Sequence, residues 1–445
     1  MLNTPKNDQS DLVRGIRLRG LTLVAIGSCI GSGIFLTPSD IARQVPSPGW
    51  ILLVWAIGGL VALTGSLTFA ELGTYFPQAG GVYVYLKEAY GKLTAFLYGW
   101  AILTVITSGA IAALALAFAR YVDFVIPLGQ GGIQLVAILS IISVTLVNIF
   151  GVQYGDRFSQ LFTFLKLAGI AILIIVGIGV LFRGSTSELR PFFSHENITG
   201  SSVAAALIGV LWSFGGWHHA SYLAGETIDP KKTVPRAMIL GALVVTVVYL
   251  LVNLAYIALL PIAEMAASKA IAADSLAVVF PSAALFVAIL IAVSTYGTSG
   301  IYTLSAPRIY FAMARDGVFF PGLAKVHKKY RTPLAAIVVQ SVWAILLLLF
   351  WGTFEDLITS VVFMDFAFMM FGGISLFIFR KRSLNALFKV PGYPFVPLIF
   401  ISILGWFMIK TLIGQPMHAW IGLATLAAGL PFYFWFKQKN QSGRS

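Results

Sequence analysis

Stretches of about 20 apolar residues, the length that crosses a bilayer as a helix, recur from one end of this chain to the other. Twelve can be placed, at 21–44, 48–75, 92–124, 133–151, 158–182, 201–224, 235–260, 282–313, 333–353, 357–379, 394–413 and 417–436. Charge is sparse between and within them: 58% of the 445 residues are hydrophobic and 11% charged, with a mean hydropathy of +0.88. That balance excludes an ordinary soluble domain and predicts an all-α integral membrane protein. The first 20 or so residues are polar and basic, with no short apolar core followed by a small-residue cleavage site. The first span is therefore expected to stay in the mature chain. One cysteine, Cys29, excludes a disulfide framework.

The net charge of +13 would suit a nucleic-acid binder, but its placement points to topology. With the N-terminus set in the cytoplasm, 23 of the 30 Lys and Arg fall in inner segments, from Lys6, Arg14, Arg17 and Arg19 to the C-terminal tail. Only Arg43, Arg183, Arg190 and Lys269 fall in outer loops, and Arg120, Lys166 and Lys410 lie in or at the ends of spans. This is the positive-inside pattern. It places both termini in the cytoplasm, makes the cell (inner) membrane the expected location and removes nucleic acid as a partner.

Two of the twelve spans are interrupted. GSCIGSGIF at 27–35 and SFGGWHHASYLAGE at 213–226 each carry a glycine-rich break where a helix should be continuous. Non-helical backbone inside a bilayer is tolerated only where it lines a cavity. A pair of breaks at corresponding places in two halves is the sequence mark of a solute site in a secondary transporter. Spans one to five (21–182) and six to ten (201–379) each open on a broken helix. Because five is odd, the second set enters from the opposite side, as an inverted repeat. Residues 1–20 and 437–445 are cytoplasmic ends, and spans eleven and twelve (394–436) are accessory, with a structural role or an oligomer contact.

The chemistry of a break follows from its helix ends: free N–H groups and a positive dipole on one side, free carbonyls on the other. An α-amino acid carries both complementary charges. Around Gly31, Ser32 and Gly33 the backbone can approach a carboxylate closely, while carbonyls near Cys29, Trp212, Ser213 and Gly215 can accept from an ammonium. A lone GSG could equally be small-residue helix packing; the second break is what favours a site.

Rival classes fit less well. A channel needs a continuous polar pore, and these spans are too apolar for rings of charge. An enzyme needs convergent catalytic groups, and none is visible. The adjacent His218 and His219 point about 100° apart on a helix, so they do not easily chelate one metal. No GxxxxGK[ST] phosphate loop is present for a primary pump. No cofactor is expected.

In several segments the chain resembles the amino acid–polyamine–organocation transporters, and among them the L-type amino acid exchangers and their bacterial relatives. The segments are IGSGIF with LTP, FAELGTYFPQAGGVYVYLKEAYG, LWSFGGW, GETIDPKKTVPRA and MARDGVFFP, in that order across spans one to ten. The resemblance implies a 5+5 inverted-repeat (LeuT-type) fold with helices one and six broken. It implies a substrate site over Cys29, Ile30, Gly31, Ser32, Gly33, Trp212, Ser213 and Gly215. Ser32 and Gly33 would hold the carboxylate, and carbonyls at Cys29, Trp212, Ser213 and Gly215 the amine. Trp212 matches the aromatic that caps the substrate and gates the outer path, its alternative being a packed or interfacial Trp. Ile106, Gly109 and Tyr296, in spans three and eight, are candidates to line the pocket or to be ordinary packing. Position 218 is His where L-type members usually carry Asn. L-type members of animals are linked to a heavy subunit through a cysteine between spans three and four; residues 125–132 here have none, so no such partner is expected. Oligomeric state stays open.

Two charges fall within spans. A lysine inside a bilayer is a functional candidate by default, and Lys166 matches the fifth-span lysine that stands in for a sodium ion in sodium-independent members. It is expected to touch backbone near the first break and polar groups at Ser294–Ser299, unless it snorkels to the inner edge. Asp365 could bind a cationic side chain, relay a proton, or bond to His218 or His219. Glu71 and Glu226 are expected to pair with basic residues at the cytoplasmic face. The reading is a sodium-independent antiporter of neutral L-amino acids working by alternating access. Proton-coupled uptake and exchange of cationic amino acids or amines are its alternatives.

Overall fold

The structure is a computed structural model that describes residues 12–182, 191–193, 198–350, 354–414 and 416–442, with side chains omitted for 354–360, 418–419 and 440–442. Lys6, Arg183, Arg190, Arg444 and the outer parts of both terminal segments lie outside these residues.

Among the described residues the chain is all-helical. Its one β-type pairing is an isolated parallel bridge between Ile16 and Thr227. Among the described residues nine helices are long and apolar enough to cross a membrane by length and composition. Gly200–Phe214 and Leu334–Phe350 are apolar but shorter, and Pro416–Ser442 closes the chain. Proline opens several helices, at Pro48, Pro230 and Pro307, where its missing N–H costs nothing and its fixed φ suits the first turn. Gly129–Ile149 and Val152–Phe182 expose Leu139, Leu146, Leu161, Phe164 and Ile175. An apolar surface that continuous belongs against lipid or another apolar partner.

The two interrupted spans are broken where the glycines stand. The first runs as Leu18–Cys29, an irregular Ile30–Ser32, then the short helices Gly33–Leu36 and Pro38–Gln44. The second runs as Gly200–Phe214, an extended Gly215, a left-handed Gly216 and the short helix His219–Tyr222. Both breaks are packed inside the molecule, with Cys29, Ile30, Ser213 and Phe214 all buried.

Helix Pro230–Leu259 packs against Pro48–Tyr75, Leu18–Cys29 and Val152–Phe182. Ala283–Ser305 packs against Thr107–Val125, Val152–Phe182 and Leu18–Cys29. The last two helices lie outside this arrangement, Phe395–Gly414 against Pro48–Tyr75 and Phe354–Lys381, and Pro416–Ser442 against Lys92–Ala101 and Phe354–Lys381.

Several elements have no counterpart in the sequence reading. A short helix, Val82–Tyr90, follows Pro48–Tyr75, and helices Ile262–Ala267 and Ile271–Ala277 fill the loop after Pro230–Leu259. The third span, read as one regular helix, contains a π turn at Ile102–Ile106.

Candidate functional site

The first break leaves donors free. The N–H of Gly31 bonds the Cys29 carbonyl at 2.9 Å, but those of Ser32, Gly33 and Ile34 find no acceptor among the described residues. They are the unpaired donors with which any helix begins. The carbonyls are a different matter. Those of Gly27, Ile30 and Gly31 are taken by Lys166, Ser294 and Thr298. The Cys29 carbonyl accepts both Gly31 N–H and the Tyr249 hydroxyl, each at 2.9 Å. Of the carbonyls expected to accept an ammonium, Cys29 is thus already satisfied. Ser213 also accepts from Tyr249 at 2.9 Å, and Trp212 accepts from Gly215 N–H at 3.3 Å. The Gly215 carbonyl has no partner among the described residues.

The two breaks touch. A Cβ on Gly33 would run into the backbone and side chain of Ser213, and one on Gly216 into the backbone of Ser28. Gly216 also has φ +124°, a conformation side-chain-bearing residues rarely adopt. Ser28 Oγ donates to the Gly216 carbonyl at 2.7 Å, and Trp212 Nε1 reaches Ser32 Oγ at 3.4 Å. Gly216→Ala should cost more than about 1 kcal/mol and lower the thermal unfolding midpoint in detergent. Gly179→Ala, where an added Cβ meets open space, should leave the midpoint in place or raise it. Equal midpoints for the two variants would remove the close-approach argument.

Lys166 is fully buried. Its Nζ donates to the carbonyls of Gly27 (3.1 Å), Ile30 (2.5 Å) and Ser294 (3.1 Å) and to Thr298 Oγ1 (2.7 Å). No carboxylate contacts it among the described residues. The negative end of helix Leu18–Cys29 supplies the compensation, since its last carbonyls point at the ammonium. The lysine thereby joins Val152–Phe182 to the first break and to Ala283–Ser305.

A narrow cavity adjoins the breaks, enclosing about 20 Å³, room for about one water. Trp212, Gly215, Gly216 and His219 line one side, Ile106, Thr107 and Ala110 another, and Tyr302, Asp365 and Phe366 complete it. Ile106, Trp212, Gly215 and Asp365 are thus brought together around one cavity. Cys29–Gly33 adjoin the cavity without lining it, and Ser213 turns toward Gly33 and Thr37. Gly109 lies buried between lining residues. Tyr296 is elsewhere: it bonds Ser143 at 2.8 Å and packs against Phe118, Phe158 and Phe162, lining an apolar pocket on the far side of its helix. The aromatic that its helix presents to the cavity is Tyr302, whose hydroxyl bonds the Ser28 carbonyl at 3.2 Å.

The histidines part company. His219 stacks on Tyr302 at 4.4 Å and bonds Ser305 Oγ at 2.6 Å, whereas His218 Nε2 lies 3.9 Å from Asp365 Oδ2. No cluster able to hold a metal occurs among the described residues.

Glu226 and Arg308, both fully buried, form a bidentate salt bridge, Arg308 donating to the two carboxylate oxygens at 2.6 and 2.8 Å. The Glu226 carbonyl also accepts Gly15 and Ile16 N–H, so the N-terminal segment is tied to the loop after the second break. Glu71 is held by Arg380 at 2.7 and 2.6 Å and by Val390 N–H at 2.7 Å. Asp316, of the MARDG segment, takes Tyr83 (2.8 Å) and Lys87 (3.0 Å). Three of the quoted segments therefore meet basic partners that no spacing in the sequence revealed.

A family model described as amino acid permease matches residues 16–435. The chain is 33% identical over 431 residues to a serine/threonine exchanger of Bacillus subtilis (strain 168), covering 96% of this chain and 97% of that protein. It is 30% identical to the large neutral amino acids transporter small subunit 2 of Homo sapiens, covering 92% of this chain and 78% of the relative. It is 29% identical to the human cystine/glutamate transporter, covering 97% and 87%.

Proposed function

The chain belongs to the amino acid permease family, and from that premise we propose that this multi-pass membrane protein exchanges amino acids across the cytoplasmic membrane by alternating access. The observation that carries the reading is the meeting of two broken helices, with free N–H groups on one and a free carbonyl on the other among the described residues, beside a narrow cavity. Exchange is supported by the relatives, one of which is named as a serine/threonine exchanger and another as a large neutral amino acids transporter subunit.

The architecture proposed is twelve spans, ten of them in two inverted sets of five. Its support is that the second span packs on the seventh and the third on the eighth, helices of equal rank in the two sets. Both termini are cytoplasmic on the strength of the basic inner segments. In the site, the N–H groups of Ser32 and Gly33 receive the substrate carboxylate. The Gly215 and Trp212 carbonyls receive the ammonium, and Trp212 closes the outer path. Lys166 occupies the place of a sodium ion. Neutral substrates are favoured by Ile106, Phe366 and the apolar neighbours. Cationic ones are the second reading, favoured by the Asp365 carboxylate in the cavity wall.

Purified protein in liposomes should take up labelled neutral amino acid saturably, several-fold faster when unlabelled amino acid is loaded inside, and equally with Na⁺ or choline outside. Uptake indifferent to internal substrate would exclude exchange. An obligatory sodium requirement would remove the role given to Lys166.

A further inference from the structure

Resting on the exchanger reading above, we propose that Asp365 and Thr107 form a side-chain subsite selecting substrates whose short side chain carries a hydroxyl. Both residues line the cavity beside the breaks. Both are buried, Asp365 7% and Thr107 1% exposed. Each presents an atom without a hydrogen-bond partner, Asp365 Oδ1 and Thr107 Oγ1. Buried polar atoms are almost always paired, so two orphans on one small cavity mark a place where a ligand's polar group is received.

The Thr107 orphan has a local cause. Other buried threonines here, such as Thr64, Thr68, Thr145, Thr295 and Thr303, return their hydroxyl to the carbonyl four residues back. Thr107 follows the π turn, and its own N–H bonds the carbonyl of Ile102, five residues back. The regular register is lost there, and the hydroxyl bonds no carbonyl among the described residues. Single π turns of this kind recur at functional sites.

The chemistry of the two orphans discriminates among side chains. A hydroxyl has one donor and two acceptor lone pairs, so it can donate to Asp365 Oδ1 while accepting from Thr107. A methyl or isobutyl group satisfies neither. An ammonium has no acceptor for the Thr107 proton, and the four methylenes that carry it in lysine do not suit so narrow a space. The His218 ring lies beside Asp365 Oδ2, and Oδ1 is the carboxylate atom left without a partner.

The test is exchange in liposomes with labelled serine, threonine, alanine, leucine and lysine, on wild type, Asp365→Asn and Thr107→Val. The wild type should prefer serine to alanine by about tenfold or more in kcat/KM, since a site built to bond a hydroxyl rejects the analogue lacking it. Each variant should bring that ratio toward one. A wild-type ratio near one, a ratio unmoved in both variants, or preference for lysine lost in Asp365→Asn would each overturn the subsite. Transport of alanine or leucine in those cases leaves the exchanger reading standing, whereas wild-type liposomes that exchange no amino acid would remove the reading itself. Should a variant fail to insert, thermal stabilisation of the detergent-solubilised wild type by serine over alanine decides the same point.

Discussion

Lys166→Ala is expected to abolish exchange, lowering the initial rate by at least about 100-fold, equivalent to about 2.7 kcal/mol of barrier. The ammonium stands within hydrogen-bond distance of three carbonyls and one hydroxyl, two of the carbonyls at the end of helix Leu18–Cys29, and shares its three donors among them. Its removal leaves buried acceptors unpaired at roughly 1–3 kcal/mol each, although Thr298 Oγ1 still bonds Gly27 and Ile30. The half-helix would then lose the anchor holding its end toward Ala283–Ser305. Lys166→Arg should not rescue, because a planar guanidinium does not fit a fully buried site shaped to a compact ammonium. Rates in liposomes, normalised to inserted protein, check this. Lys166→Ala running at the wild-type rate would take the residue out of the mechanism.

Glu226→Gln is expected to be strongly destabilising. Breaking a buried ion pair by removing one partner costs about 3–5 kcal/mol, because the other charge remains buried and uncompensated. Arg308 would keep its bond to the Leu304 carbonyl and one neutral acceptor, the amide oxygen of the new glutamine, while the amide NH2 opposes the other guanidinium N–H. The thermal midpoint in detergent should fall by about 5–10 °C. Glu226→Met and Arg308→Met should each fall likewise. The pair Glu226→Met with Arg308→Met should recover most of the loss, since two apolar side chains bury no lone charge. A double variant whose loss equals the sum of the two singles would show that the residues are not coupled.

Much of this was legible in the sequence because it follows from runs and their interruptions. Apolar lengths located the helices, and the glycines at 31, 33, 215 and 216 located the breaks. Lys166 stood out because an isolated charge in an apolar run has few reasons to be there. What stayed hidden depends on which face of a helix turns inward over long sequence distances. Tyr249 bonds carbonyls at both breaks, yet in sequence it is one aromatic in an apolar span. Tyr296 and Tyr302 share a helix, and only packing assigns the second to the cavity. The π turn at Ile102–Ile106 rests on a register shift that apolar composition does not encode. Arg308 and Arg380, counted among the cytoplasmic basic residues, are buried or half-buried partners of Glu226 and Glu71.

A cation tethered to the protein backbone by four methylenes cannot dissociate. On the proposed reading, Lys166, at the point where it grips the first break, takes the place of an ion that would enter from one compartment and leave into the other. No sodium gradient would then deliver work through that point. The direction of net flow is then left to the amino acid pools on the two faces of the membrane, and the protein acts to bring their ratios into line.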